Sequence, residues 1–161
     1  MILLAPHSDD EALFATYIIN RLKPEIWVVT DGTTHFKKFG ILIEDRRDES
    51  KRFAELMGVP IKFLGIPEEE LKYLELPDGE YITPMATSGN IHHDIVSKVP
   101  SMIHYGTYTK DSLLQETSMV VNPTKEELEL KEKALVLYES QLRINPHHFE
   151  AVRGKPEYIM L

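Results

Sequence analysis

The chain has 161 residues, enough for one domain with a real hydrophobic core, and its 42% hydrophobic and 27% charged residues are those of an ordinary soluble globular protein. A net charge of −8, from 18 basic and 26 acidic residues, excludes a nucleic-acid backbone as partner, because no basic stretch is dense enough to neutralise phosphates. With zero cysteines there are no disulfides, thiolate sites or cysteine nucleophiles, so any metal must be held by His, Asp or Glu.

Residues 1–5 form an apolar strand that Pro6 stops, since proline cannot donate to a sheet ladder. Ala12, Leu13, Ala15, Tyr17, Ile18 and Leu22 then recur at helical spacing, so Ser8 or Asp9 opens a helix that runs to Leu22. His7, Asp9, Asp10 and Glu11 therefore crowd the turn from the C-terminal end of a strand to the N-terminus of a helix, where open α/β sheets place their ligands. In that turn His7 and Asp10 can converge on one ion while Asp9, between them, points elsewhere in the same pocket. By itself the cluster is equally a helix cap with acidic residues on the helix dipole.

Glu25–Thr30 is a second strand, closed by the turn pair Asp31-Gly32, and residues 33–40 read as a loop. Ile43–Met57 carries a helical pattern that Gly58 ends as a C-cap, and Ile61–Ile66 is a third strand between Pro60 and Pro67. Two strand-helix-strand units in succession imply parallel pairing with right-handed crossovers. Residues 68–72 read as a short helical turn, 80–83 as a strand, 85–90 as a polar loop and 91–99 as a helix. Strands are expected at 102–109 and 117–121, and a helix over 124–141 opens with Thr124 and with Glu127 at the capping-box position. Glu126, Glu127, Glu129 and Glu132, interleaved with Lys125, Lys131 and Lys133, read as its solvated face. His147-His148 reads as loop or surface, residues 158–161 as a final strand, and Tyr81, Tyr105 and Tyr108 as core in preference to a stacking platform.

A second constellation, Asn90-Ile91-His92-His93-Asp94, again follows a strand end. One of its histidines added to His7 and Asp10 makes a two-histidine, one-carboxylate set with open positions for water, which suits zinc hydrolysis better than a closed structural site.

Pro6-His7-Ser8-Asp9-Asp10-Glu11 resembles the Pro/Ala-His-Pro-Asp-Asp-Glu signature of the LmbE-like, or PIG-L, zinc-dependent N-deacetylases. Val28-Val-Thr-Asp-Gly32 is similar to that family's strand ending in Thr-Asp-Gly, and Arg46-Arg-Asp-Glu49 with Met57-Gly58-Val59 to its Arg-x-x-Glu helix ending in Leu-Gly-Val. Phe63-Leu-Gly-Ile-Pro67, Leu137-Tyr-Glu-Ser-Gln141 and Glu157-Tyr158 match its later segments in the same order. The resemblance implies a single-domain α/β fold over residues 1–161, a Rossmann-like three-layer sandwich with a mostly parallel sheet. It makes His7, Asp10 and His93 ligands of Zn2+ or another divalent metal, Asp9 the general base, and Arg46 a substrate contact.

Asn90 stands where the family motif has its first histidine, whose carbonyl-polarising role falls to His92. Asp31 joins Arg46 as a candidate for fixing sugar hydroxyls. The activity implied is removal of an N-acetyl group from a small amino-sugar conjugate, and a catalytically weakened or non-catalytic sugar or nucleotide binder on the same scaffold is the alternative. The stretch from Pro67 to Thr83 is short for the family, which implies an open site or one completed by a second copy in a homo-oligomer. No apolar run is long enough to span a bilayer and the N-terminal residues lack a signal-peptide pattern, so no membrane partner and a cytoplasmic location are expected.

Overall fold

The computed structural model describes residues 1–87, 89–107 and 119–161. Strands β1 (Ile2–Ala5), β2 (Glu25–Thr30), β3 (Ile61–Ile66), β4 (Tyr81–Pro84), β5 (Ile103–Tyr105), β6 (Met119–Val121) and β7 (Glu157–Met160) form one sheet in the order β3-β2-β1-β4-β5-β7-β6. Every pairing from β3 to β5 is parallel, and only β7, between β5 and β6, runs antiparallel. This is the mostly parallel α/β sheet that the two strand-helix-strand units imply. The predicted strands at 102–109 and 117–121 are described only in part, and residues 108–109 and 117–118 lie outside the described residues, Tyr108 among them.

Alternation along the strands sends side chains to two separate cores. Leu3, Ala5, Ile26 and Val28 pack with Tyr17, Phe53, Tyr105, Tyr138 and Phe149 on one face. Leu4, Trp27 and Val29 pack with Leu71, Tyr81 and Val96 on the other. The two faces give the three layers, and Tyr81 and Tyr105 are buried core as expected. Strand order reverses beside β1, with β2 on one flank and β4 on the other, so the carboxyl ends of β1 and β4 open onto one crevice.

The helices are α1 (Asp10–Phe14), α2 (Thr16–Leu22), α3 (Thr33–Phe39), α4 (Ile43–Met57), α5 (Ile91–Val96), α6 (Lys125–Leu135), α7 (Glu139–Ile144) and α8 (Pro146–Val152), with a 3-10 turn at Glu68–Tyr73. Four of these correct the sequence expectations. The first helix breaks at Ala15 (φ −134°), and Glu157 from β7 accepts the N–H groups of Tyr17 and Ile18 at 2.9 and 3.2 Å, so the second segment has its own distant cap. The expected loop at 33–40 is α3, bracketed by Gly32 (φ 77°) and Gly40 (φ 68°); it carries exposed Phe36 and Phe39 and so lacks an apolar period. The expected helix over 124–141 opens with the Thr124–Glu127 capping box but breaks after Leu135, which turns Tyr138 and Ser140 inward. His147 and His148 lie on α8, started by Pro146, and not in a loop, although His147 is at the surface as the other half of that expectation has it.

The acidic face of α6 is also not wholly solvated. Glu127 is buried and takes Arg21 on both oxygens, at 2.8 and 2.6 Å, and Lys131 is buried with its Nζ 2.7 Å from Glu157 and 2.9 Å from the Leu13 carbonyl. The helix packs on α1 and α2, and these two residues face that contact. Among the described residues no helix is long and apolar enough to cross a membrane.

Candidate metal centre

His7 and Asp10 follow β1, and His93 lies on α5 after β4, so the two loops at the switch point bring them together. Asp10 Oδ2 accepts the His7 backbone N–H at 2.8 Å and lies 3.2 Å from His7 Nδ1, while Asp10 Oδ1 lies 3.2 Å from His93 Nε2. One ligand atom from each of the three residues lies within 4.8 Å of the others. All three side chains are buried or nearly so. Asn90 decides which histidine joins them: its side-chain oxygen accepts the N–H groups of His92 and His93 at 3.1 and 3.4 Å, starting α5 so that His93 turns in. His92, one position earlier, lies on the opposite side of His7, with its Nδ1 2.8 Å from His7 Nε2.

Electrostatics favours the ligating forms of Asp10 and His7. Burial favours the neutral Asp10 carboxyl, but the histidines outweigh it and hold the group well below the usual carboxylate range. Burial lowers the His7 imidazole against the pull of Asp10, which favours a neutral ring. His93 Nδ1 is buried with no hydrogen-bond partner among the described residues, leaving the contact through Nε2 as the ring's polar engagement. An anionic carboxylate and imidazole nitrogens at this spacing fit a divalent ion of zinc's intermediate softness.

Asp9 sits beside this group in a conformation that L side chains rarely adopt, φ 151° and ψ −24°. Such outliers cost about 1–3 kcal/mol and persist where surroundings fix them. Here Asp9 N–H meets the His7 carbonyl and Glu11 Oε2, both at 3.1 Å. Arg46 stands behind: its Nη2 donates to the Ser8 carbonyl at 2.6 Å and lies 3.6 Å from Asp9 Oδ1. Burial raises the Asp9 carboxyl well above its ordinary value; Arg46 opposes that rise, and Asp10, Glu11 and Glu49 add to it.

Arg46 is itself only 2% exposed, and its Nε and Nη1 have no hydrogen-bond partner among the described residues. The Thr30-Asp31-Gly32 turn closes over it, and a Cβ at Gly32 would meet Arg46 Nη1 at 3.5 Å. Asp31 is not drawn into the histidine cluster. Its Oδ1 accepts the Thr33 N–H at 3.0 Å and its Oδ2 the Thr33 hydroxyl, starting α3.

Below the site lies a polar layer that residue-type patterns do not reveal. Tyr138 donates to Glu11 at 2.6 Å, and Glu49 accepts both the N–H and the hydroxyl of Ser140 at 2.7 Å. Glu68 offers a carboxylate oxygen within 4.8 Å of ring nitrogens of His7 and His92. His148, on α8 against α1, lies within electrostatic reach of Asp10. None of these contacts is local in sequence, and only the family-like Arg-x-x-Glu and Tyr-x-Ser-Gln segments signalled Glu49, Tyr138 and Ser140.

The family model for GlcNAc-PI de-N-acetylase, PIG-L, matches residues 2–151, the stretch that carries both halves of this site. The chain belongs to the PIG-L family. No curated protein sequence matches this PIG-L member. Among solved structures it is similar to the conserved protein TT1542 from Thermus thermophilus, with 17% identity and a TM-score of 0.74 over 99% of this chain and 92% of that one. It is also similar to the N,N'-diacetylchitobiose deacetylase from Pyrococcus horikoshii, with 18% identity and a TM-score of 0.67 over 99% and 82%. A zinc-inhibited form of the teicoplanin deacetylase Orf2 matches with 12% identity and a TM-score of 0.70 over 98% and 96%. These likenesses establish a common fold for the PIG-L chain and those proteins.

Proposed function

We propose that this chain is a zinc-dependent N-deacetylase that hydrolyses the acetamide of a small amino-sugar conjugate. The observation that carries the reading is the convergence of His7, Asp10 and His93, with 3.2 Å contacts on both Asp10 oxygens, beside an Asp9 whose carboxylate has Arg46 3.6 Å behind it. Family membership supports it, as do deacetylases of acetylated sugar compounds among the structural neighbours.

His7, Asp10 and His93 hold the metal, which when bound supplies Lewis-acid chemistry: it acidifies water and polarises the amide carbonyl. Asp9 takes a proton from the attacking water as the new C–O bond forms, and burial raises its affinity for that proton. It returns the proton to the nitrogen as the C–N bond breaks, releasing amine and acetate. His92 stabilises the oxyanion. With His7 Nδ1 turned to Asp10 and the metal, the His7 Nε2–H donates to His92 Nδ1, which leaves His92 Nε2–H as a donor toward substrate. Arg46, whose buried Nε and Nη1 have no hydrogen-bond partner among the described residues and become available when the turn over them moves, and Asp31 at the end of β2 are the candidates for binding sugar hydroxyls. The same reading takes residues 1–161 as one domain acting in the cytoplasm on a small molecule, with the open crevice available for completion by a second copy.

A second reading, a non-catalytic sugar or nucleotide binder, is favoured by Asn90, whose side chain caps α5 instead of offering an imidazole to a carbonyl. Bound zinc measured by mass spectrometry, together with amine release from N-acetylglucosamine conjugates, decides between them. The deacetylase reading requires about one zinc per chain and amine release; sugar binding without release from any acyl substrate establishes the binder.

A further inference from the structure

The His7 ring is engaged on both nitrogens, and only one side belongs to the centre just described. Nδ1 lies 3.2 Å from Asp10 Oδ2, and Nε2 lies 2.8 Å from His92 Nδ1. On that outer side Glu68, first residue of the 3-10 turn after β3, completes a second set: His7, Glu68 and His92 each offer a ligand atom, all within 4.8 Å of one another. Glu68 and His92 are half-buried and His7 is 9% exposed, so the outer side of the set is open to an ion through its two half-buried members. Glu68 is anchored by Thr34, whose N–H donates to its Oε2 at 3.1 Å and whose hydroxyl bonds to the same oxygen. The 3-10 turn is thereby tied to α3 with its carboxylate beside the two rings.

We infer that His7, His92 and Glu68 form a second divalent-cation site that shares the His7 imidazole with the first. The His7 ring releases its Nε2 proton to solvent and bridges as an imidazolate, and with the His92 imidazole and the Glu68 carboxylate it makes a donor set of the same nitrogen and oxygen types as the inner centre. A tetrahedral ion with metal–nitrogen distances of about 2.0–2.1 Å holds two nitrogens about 3.3 Å apart, so the His7–His92 contact has to open by only about 0.5 Å. Two cations across one imidazole repel, so the second binds more weakly than the first. Its effect on turnover rests on the reading of His92 as oxyanion donor: an ion there breaks the His7–His92 hydrogen bond that aims the ring, and excess metal inhibits.

The test is titration of the chelator-stripped full chain with Zn2+, followed by calorimetry, and with Co2+, followed by its visible absorption. Wild type is expected to bind two ions, the second at least about 10-fold more weakly, with two distinguishable cobalt environments. Glu68→Gln weakens the second step by about 10-fold or more, the loss expected when even an outer partner of a metal ligand is removed. The first step is retained. Glu68→Ala repeats the test should the glutamine variant misfold, and the cobalt spectrum of wild type requires no variant.

A single ion per wild-type chain overturns the inference, as does a second step that both Glu68 variants leave unaltered. Amine release should rise to one equivalent of metal and fall with the second, and the fall should vanish in Glu68→Gln. A chain that binds two ions in this pattern yet releases no amine at any loading sustains the second site and overturns the deacetylase reading.

Discussion

The Arg46 guanidinium stands 3.6 Å from the Asp9 carboxylate on its buried side, joined to the same turn by a 2.6 Å bond to the Ser8 carbonyl. One cation on α4 thus anchors the backbone of the residue proposed to move the proton and opposes the rise that burial gives its carboxyl. Arg46→Met should leave that carbonyl without its donor and lower stability by about 1–3 kcal/mol in urea unfolding. Arg46→Lys keeps the charge but not the planar fork, and should recover stability only in part. Equal stability of Arg46→Met and wild type would rule out this anchoring.

Asp9 and the ligand set should separate in a two-variant comparison. Asp9→Asn should keep its zinc while amine release falls about 10²–10⁴-fold, the usual loss for a general acid–base. His93→Ala should lose tightly bound zinc, and His92→Ala should retain it at the inner centre while turning over more slowly. Metal content by mass spectrometry and release assays on the same samples read both effects, and zinc retained by His93→Ala but lost by His92→Ala would reverse the two assignments.

The Lys131–Glu157 pair, 2.7 Å apart and 2% exposed on each side chain, ties α6 to β7 while Glu157 also caps α2. Lys131→Met strands a buried carboxylate and should cost about 3–5 kcal/mol in chemical denaturation. The double variant Lys131→Met, Glu157→Gln should be more stable than Lys131→Met alone, because it buries no unpaired charge and the Gln carbonyl can still accept from Tyr17. A double variant no better than the single would show that lost packing, and not charge, dominates.

Acid stability should carry the mark of Glu127. Its hydrogen bonds with Arg21 hold the carboxyl down to about 2, against an ordinary 4.5. A folded-state value below the unfolded one stabilises above the unfolded value and is lost as protons bind, so the contribution is full above about pH 4.5 and disappears as pH falls toward about 2. Glu127→Gln should therefore unfold at a lower denaturant midpoint near neutrality and show a shallower decline between those pH values. Because Arg21 is partly exposed, the difference should also shrink in high salt.

Local patterns in the sequence carried the strand ends and the turn chemistry well. Ile43–Met57 and Ile61–Ile66 have the expected bounds because an apolar period, a C-cap glycine and flanking prolines are all local signals. The region 33–40 failed the same test, since α3 is set by Asp31 and two positive-φ glycines and buries too little apolar surface to show a period. Lys131 and Glu127 read as surface because charge is ordinarily solvated; their burial depends on Glu157 and Arg21, which lie far away in sequence.

The sequence by itself determined the chemistry available here: without cysteine, a metal could only meet His, Asp and Glu, and mixed sets of those residues follow two strand ends. It could not decide between His92 and His93, because adjacent residues on a helix point about 100° apart and the choice depends on where the helix starts. Tertiary structure sets their directions through the Asn90 cap, with His93 beside Asp10 and His92 on the far side of His7. It also placed Arg46 behind Asp9 and Glu68 beside His92, contacts across 37 and 24 positions that the sheet's switch point creates and no local pattern encodes.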